Sequence, residues 1–497
     1  MAGFERYWLC SKKIVVHVPS DVPLWTQIQK GHLGLQAQIS DSPYASFPSP
    51  PDDRYLKYEI WVCNDENRSL SDFHMECAKY LLEKPKGYPD PLLIEKPIWT
   101  TWAKYGKGIT EYQVLEFANK IVSKGFEISQ LELDDMWTTK YGDFDINTKK
   151  FPDFTYMIGQ LQQKGIPLTA WMHPFINLDS KNGMDKSLHK YFVQTSSGES
   201  GVTKWWNGKA YIVDFTNPEA VQWFTNQLES IKKLGVYSFK FDAGEVHYMP
   251  KNFRFHSGTE PNDYSRAYTR FAASFGRAVE ARVGSSTQEL PILIRTIDRE
   301  SKWVHTGLQT IIPTVLNLSL HGYFWNLPDM IGGNGNDFTK LEAGQVNTMP
   351  EDKELYIRWV QVNTFLLVMQ FSFCPWESKW VDYIKYECEK AVQTGIPVFR
   401  PLWWHLNTSE AFSCSDQFFV GDKLLVAPVV CQGARTRDVF IPKGSWRDQS
   451  GKIVTGPIKL NVKAPLEVLP FYEKLSEEEA CLEEPPIDIK LYRANML

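Results

Sequence analysis

The segment YSFKFDAGE, residues 237–245, decides the fold. Tyr237 to Phe241 read as a short strand, and its end delivers Asp242-Ala243-Gly244-Glu245. A helix precedes it: Asn217-Pro218 supplies a cap residue and a first-turn proline, and Val221, Phe224, Leu228 and Ile231 fall on one face. The same unit recurs on both sides. Ile128 to Leu133 is a strand that runs into Asp134-Asp135, Pro167 to Trp171 ends at His173-Pro174, and Ile292 to Ile294 runs into RTIDRESKW at 295–303. Upstream, Ile94 to Trp102 is strand-like. A helical face of Val114, Leu115, Ala118, Ile121 and Val122 follows, with Gly125 placed to end it. Short apolar strands alternating with helices describe βα units around a parallel sheet. Polar residues gather at the carboxyl ends of these strands, and in a (β/α)8 barrel those ends form the single rim where chemistry takes place. A doubly wound sheet competes, but no Gly-rich phosphate turn follows the first strand, and the GGNG at 332–335 stands alone.

A chain of 497 residues is expected to hold two or three domains. Ile14 to Val18 and Leu33 to Ile39 are strand-like and lead into the Pro/Ser-rich stretch 42–53. After about residue 385 the helices are expected to stop. Phe418 to Val430, Arg437 to Ile441 and Ile453 to Pro470 then read as strands broken by turns such as Pro442-Lys443-Gly444-Ser445. The expected division is a remnant of an N-terminal β domain with its linker at 1–85 and a catalytic (β/α)8 TIM barrel at 86–385. A C-terminal β-sandwich domain at 386–475 and an acidic tail at 476–497 complete it.

Composition removes several function classes. The net charge of −5, with no Lys/Arg run, leaves no footprint for nucleic acid. The longest apolar stretch, Thr364 to Phe373, is about half of the roughly 20 residues a membrane span needs. The N-terminus lacks a signal peptide's apolar run. Eight cysteines include no C-x-x-C pair, and H-E-x-x-H, G-x-S-x-G and phosphate-loop motifs are missing, so no metal and no cofactor is expected. Sequons at Asn67, Asn317 and Asn407 hint at a glycoprotein of a secretory lumen. Aromatics at 14% suit a protein that holds sugar rings, as well as a large core.

Asp242, Asp298 in the 295–303 burst, and Asp329 in NLPDMIGG (326–333) are the carboxylates that the rim would present. Ala243 and Gly244 would leave a ligand room beside Asp242. Arg299 and Glu300 read as a surface ion-pair cluster, and the Gly332-Gly333 pair permits a tight turn. Two rim carboxylates are what glycoside hydrolysis requires, one to attack the anomeric carbon and one to protonate the leaving oxygen. Trp99, Trp102, Trp137, Trp171, Trp205 and Trp206, all near strand ends, would wall a sugar site.

FKFDAGE, ARVGSSTQELPILIRTIDRES and GYFWNLPDMIGG together resemble glycoside hydrolase family 31, within it the branch of the myogenesis-regulating glycosidase and the SITS-binding protein. PIWTTWAKYGKGIT, LELDDMW, TAWMHPFIN, WWNGKAYIVDFTNPEA, FRPLWW and DQFFVGDKLLVAPV extend the resemblance over roughly residues 5 to 475. It implies a retaining α-glycosidase with a carbohydrate substrate. Asp242 would be the nucleophile, Asp298 the acid/base and Arg282 a sugar-binding arginine. Glu132 and Asp134 stand in the strand-2 sugar-binding motif, and Trp171, Lys240 and Asp329 line the same pocket. Lys240 and Arg282 would keep Asp242 charged, while a dry setting would surround Asp298. Glu132 replaces an aspartate of the family's glucosidases, which points to an α-galactoside before an α-glucoside. A weak carbohydrate- or anion-binding protein on the same fold is the alternative, with Lys240 and Arg282 supplying the charge. Ser285 stands where a close relative has an aromatic residue, and Pro375-Trp376 lie where the family carries a late histidine. Phe4 to Trp8 match sequence well inside longer, membrane-anchored members. A truncated N-terminus and a secretory-lumen or membrane-associated location are therefore expected, and a homodimer stays open.

Overall fold

The computed structural model describes residues 5–29, 31–39, 43–47, 56–335, 345–347, 352–373 and 381–476, with backbone alone at 381–385. Pro375-Trp376, most of the Pro/Ser-rich stretch and almost all of the acidic tail lie outside these residues.

Eight strands, β1 (Ile98–Thr100), β2 (Gln130–Leu133), β3 (Leu168–Met172), β4 (Ser238–Phe241), β5 (Glu280–Ala281), β6 (Leu293–Arg295), β7 (Asn326–Leu327) and β8 (Gln370–Phe371), form one sheet. Their order is β7-β6-β5-β4-β3-β2-β1-β8, and every neighbouring pair is parallel. Between β7 and β8 the Ile331 N–H donates to the Gln370 carbonyl at 2.9 Å, so the barrel is nearly closed. Helices α1 (Glu111–Ser123), α2 (Phe154–Gln163), α3 (Pro218–Lys232), α4 (Asn262–Ala273), α5 (Ile311–Leu320), α6 (Lys353–Asn363) and α7 (Val381–Thr394) follow the strands. The 282–292 connection from β5 to β6 carries no helix.

Local sequence explains the helix ends. Thr110 and Gln113 form a reciprocal capping box on α1, and Gly125, at φ 83°, donates to the Val122 carbonyl beyond its end. Asn217 caps α3 by accepting from the Glu219 N–H at 3.0 Å, with Pro218 in the first turn. The buried stripe of α1 is Val114, Phe117, Ala118 and Ile121; Val122 is 46% exposed and leaves the face assigned to it. On α3 the stripe is Ala220, Phe224, Leu228 and Ile231, with Val221 at its margin. The strand expected over Ile94 to Trp102 shrinks to Ile98–Thr100. Asp90 caps a helical turn over Pro91–Glu95, and Trp102–Tyr105 turn helical again. Helices also persist past residue 385, through α7 to Thr394 and again at Ser409–Ser413, which Thr408 caps.

The C-terminal domain is a six-stranded antiparallel, sandwich-like sheet. Its strands are β9 (Phe399–Pro401), β10 (Phe418–Val420), β11 (Leu424–Val426), β12 (Thr436–Asp448), β13 (Ile453–Lys463) and β14 (Phe471–Lys474), in the order β9-β10-β11-β14-β12-β13. Phe419, Leu425, Ile441 and Trp446 lie in its core. At the other end, Tyr7–Cys10, Ile14–His17 and Glu59–Val62 make a three-stranded antiparallel sheet, which packs through Tyr7 and Val15 on the helix Leu70–Leu81. Among the described residues no helix is long and apolar enough to cross a membrane, and the six described cysteines are free thiols.

Arg358 of α6 clasps the barrel to the C-terminal sheet. Its side chain is wholly buried and donates to the carbonyls of Ala464 (2.6 Å), Pro465 (3.2 Å), Ala434 (3.2 Å) and Val468 (3.4 Å), and to Gln361 Oε1 (2.9 Å). Arg358→Met removes all five hydrogen bonds at once and is expected to cost about 3 kcal/mol. A lowered melting temperature in calorimetry is the expected result, and an unchanged one refutes the clasp.

Candidate active site

The barrel register builds the site. Lys240 of β4 pairs with Trp171 of β3 on one side and Glu280 of β5 on the other, so these side chains share one row. One residue past β4, Asp242 is fixed by its own N–H to the Met172 carbonyl (2.8 Å) and by the Tyr268 hydroxyl to its carbonyl (2.7 Å). Its carboxylate meets Arg295 Nη2 at 2.8 Å and Arg282 Nη1 at 3.1 Å, and accepts from the Trp171 indole N–H at 3.0 Å. The Asp298 carboxylate sits on the other terminal nitrogen of Arg295, at 2.9 Å. Both candidate carboxylates therefore lie against one guanidinium. Asp329, just past β7 at φ 72°, faces the same Arg295 nitrogen at 3.4 Å and accepts from the Arg299 N–H at 2.8 Å, which pins the segment that carries Asp298. Glu132 and Asp134 from β2 meet Lys240 Nζ at 3.4 and 3.1 Å.

All eight residues singled out in the sequence thus enter one network, but several expectations about their surroundings fail. Lys240 does help to hold Asp242 ionised, but from a distance, since its direct contacts are Glu132, Asp134 and Glu280 (3.5 Å), and the second cation touching Asp242 is Arg295. The side chain of Asp298 is 45% exposed, because its segment stands at the mouth of the rim, so its setting is not dry. Arg299 is buried and bonds Thr310, whereas Glu300 does pair at the surface with Lys302. Gly244 makes room for protein: a Cβ there would stand 2.3 Å from the Tyr268 ring. Of the six tryptophans, Trp99 and Trp137 are wholly buried and bond the carbonyls of Glu127 and Trp171. Trp205 is buried against Phe175 with its N–H on Asn177. Trp206 is 43% exposed and lies 5.2 Å over the Arg282 guanidinium. Its neighbour Asn207 is tied to the buried Asp135 at 3.1 Å, which the Tyr141 hydroxyl also holds at 2.8 Å.

Sequence reasoning missed four members. Glu280 forms ion pairs with Lys240 (3.5 Å) and Arg295 (Nε, 3.2 Å), Glu245 grips Arg282 at 2.9 and 3.2 Å, and Gln370 donates to Glu132 (2.9 Å) and Glu280 (3.2 Å). Arg295 itself is the fourth. A charged residue closing the apolar run Ile292-Leu293-Ile294 was the available signal.

Comparison with known proteins fits this geometry. Residues 98–379 match the glycosyl hydrolases family 31 TIM-barrel domain, and residues 395–475 match the family 31 C-terminal domain. The chain belongs to glycosyl hydrolase family 31. It is 36% identical to the myogenesis-regulating glycosidase of Mus musculus and 27% identical to the SITS-binding protein of Tetronarce californica. Each alignment covers 90% of this chain and 65% of the relative, so the chain spans about two thirds of their length or slightly less. A family 31 sulfoquinovosidase from E. rectale, solved with an aza-sugar inhibitor, superposes with a TM-score of 0.75 at 19% identity, over 96% of this chain and 73% of that one.

Charge balance sets the protonation pattern of this family 31 rim. Three cations, Lys240, Arg282 and Arg295, face seven carboxyl groups: Glu132, Asp134, Asp242, Glu245, Glu280, Asp298 and Asp329. Burial, and then the Glu280 charge, push Glu132 from 4.5 up to about 8 against the pull of Lys240. Burial and the Asp298 charge push Asp329 to about 7 against Arg295. Burial would also raise Asp242, but Arg282, Arg295, the Trp171 N–H and Lys240 outweigh it and hold this carboxyl far below the usual range. Burial pulls His173 down to about 3 despite Asp242, so its imidazole is neutral. Among the described residues no group of three or more His, Cys, Asp or Glu is arranged to hold a metal.

The raised Glu132 fixes a sign. Between about pH 4.5 and 8 the folded chain keeps a proton that the unfolded chain has lost, so Glu132 makes stability fall as pH rises across that window. Glu132→Gln is expected to flatten the fall and to raise the melting temperature at pH 8. A melting profile with the wild-type slope in this variant contradicts the assignment.

Proposed function

We propose that the chain is a retaining α-glycosidase in which Asp242 is the nucleophile and Asp298 the acid/base. One observation carries the reading: two carboxylates from neighbouring regions of the rim, one held ionised and enclosed, the other half exposed, share the terminal nitrogens of Arg295. A retaining mechanism needs its carboxyl groups about 5–5.5 Å apart. In the first step an Asp242 oxygen attacks the anomeric carbon while Asp298 gives its proton to the departing oxygen, leaving a glycosyl–Asp242 ester. In the second step Asp298 takes a proton from water, the water oxygen attacks the same carbon from the face the aglycone left, and Asp242 departs as carboxylate. Two inversions restore the α configuration.

Asp329, whose carboxyl burial pushes up to about 7, is 1% exposed and faces inward to the Arg299 N–H. The leaving oxygen has to be met from the mouth, and Asp298 stands there. Arg282, Asp134, Trp171 and Lys240 would position the sugar. Glu132 has no exposed side-chain surface and would act on it through Lys240. Glu132 in place of the aspartate of the family's glucosidases, together with the resemblance to the myogenesis-regulating branch, favours an α-galactoside; an α-glucoside is second. The anion-binding alternative loses support because both cations are engaged, Lys240 with three carboxyl groups and Arg282 with two. The exposed sequon residues Asn67, Asn317 and Asn407 favour a secretory-lumen location.

Incubation with aryl α-galactoside, α-glucoside and sulfoquinovoside tests the reading. Turnover is expected on the galactoside, with the α-anomer formed first by NMR. Asp242→Asn and Asp298→Asn are each expected to lower kcat by at least about 10³-fold. An activated fluoro-sugar should label the peptide that contains Asp242. Wild-type turnover by the Asp242 variant, or a first-formed β-anomer, rejects the mechanism.

A further inference from the structure

We propose that Arg295 is the positioning residue of this reaction, fixing the spacing between Asp242 and Asp298 by holding one on each terminal nitrogen of a single rigid guanidinium. The proposal deepens the glycosidase reading and rests on it. Arg295 closes β6, and its side chain is 3% exposed. Besides Asp242 and Asp298, it reaches Glu280 through Nε at 3.2 Å and Asp329 through Nη1 at 3.4 Å, and it donates to the Thr296 carbonyl at 3.1 Å. Carboxylates supplied by β4, β5, β7 and its own loop thus surround one planar fork. A guanidinium presents its N–H groups in fixed directions, so groups bound to its two ends have a set separation; a lysine ammonium imposes none.

Arg282 cannot substitute. It holds Asp242 at 3.1 Å but turns its Nε and other terminal nitrogen to Glu245. Among the described residues, Arg295 is the one ion-pair partner of Asp298. Asp329 supports the same arrangement from behind, by accepting from the Arg299 N–H. Arg295 needs no contact with the sugar for this role.

A second consequence follows from charge. The groups that face Asp242 are Arg282 from β5, Lys240 beside it on β4, the Trp171 indole and neutral His173 from β3, Asp134 from β2, the Tyr268 hydroxyl from α4, and the carboxyls of Glu280, Asp298 and Asp329. Removing Arg295 leaves Asp242 in contact with one cation instead of two. Its proton then leaves at higher pH, and the acid limb of kcat/KM moves upward, because the nucleophile has to be ionised.

The full chain is assayed with an aryl α-galactoside across pH as wild type, Arg295→Met and Arg295→Lys. Arg295→Met is expected to lower kcat about 10²-fold or more with little change in KM, and to shift the acid limb to higher pH. Arg295→Lys is expected to return the limb toward wild type while kcat stays low. Added guanidinium ion should partly restore Arg295→Met. Wild-type kcat in either variant overturns the proposal, as does a limb that stays in place in Arg295→Met. If the methionine variant does not fold, the lysine variant decides: a loss confined to kcat supports positioning, and full activity refutes it. A wild-type chain without turnover on any glycoside sinks the underlying reading and this inference with it. An active wild type matched by its Arg295 variants sinks the inference alone.

Discussion

Burying three cations among seven carboxyl groups is the constraint from which the rest of the barrel interior follows. Each buried ion carries a desolvation cost of several kcal/mol, which is recovered only where partners and hydrogen bonds are in place. The barrel meets this by drawing partners from nearly every strand. Glu132 and Asp134 come from β2, Trp171 from β3, Lys240 from β4, Glu280 from β5, Arg295 from β6 and Gln370 from β8. No single strand could satisfy its own charge. The network therefore couples closure of the sheet to completion of the site, and stability is spent on function in the barrel's most enclosed region.

The same imbalance separates the carboxyls. With too few cations, those deepest in the cluster retain protons, as Glu132 and Asp329 do. Asp242 takes the two guanidinium groups and an indole N–H, and it is held ionised. Environments that drive neighbouring acids in opposite directions mark sites of acid–base chemistry. Here one crowded row of side chains produces both extremes without a metal-type ligand set among the described residues.

Strand ends were legible in the sequence because an apolar run of four or five residues that breaks into charge has few other meanings. β2, β3 and β4 have that length, and Trp171 near the end of β3 and Asp134 and Asp242 just past β2 and β4 were found. β5, β7 and β8 hold two residues each, which leaves no period to read, so Glu280 and Gln370 went unseen. Asp329, just past β7, was found because NLPDMIGG reads as a strand end that runs into a glycine pair. Arg295 opens the charged stretch 295–303 but was given no role, since a sequence does not tell which side of a strand faces the barrel axis. The tryptophans failed for a related reason. Position near a strand end does not separate an indole that packs outward under a helix, as Trp99 does against Phe117, from one turned to the rim like Trp171.

The N-terminal segment is tied to this site although it lies outside the barrel. The connection from β5 to β6 carries Arg282 at its start and has no helix to stiffen it. Ser286 within it adopts a left-handed backbone at φ 48°, an unfavourable conformation for a residue other than glycine. Glu5 holds it there: one carboxylate oxygen accepts from the Ser286 N–H at 2.8 Å and from the Tyr323 hydroxyl at 2.7 Å. Arg270 reaches Glu289 further along the connection at 2.8 Å, and the Lys86 N–H donates to the Glu289 carbonyl at 3.1 Å. The loop that delivers Arg282 to Asp242 is thus braced by residues before β1, by α4 and by the segment ahead of β7. A guanidinium that must hold Asp242 on one side and Glu245 on the other tolerates little drift of its backbone. That bracing explains why residues so far ahead of the barrel belong to the same working unit.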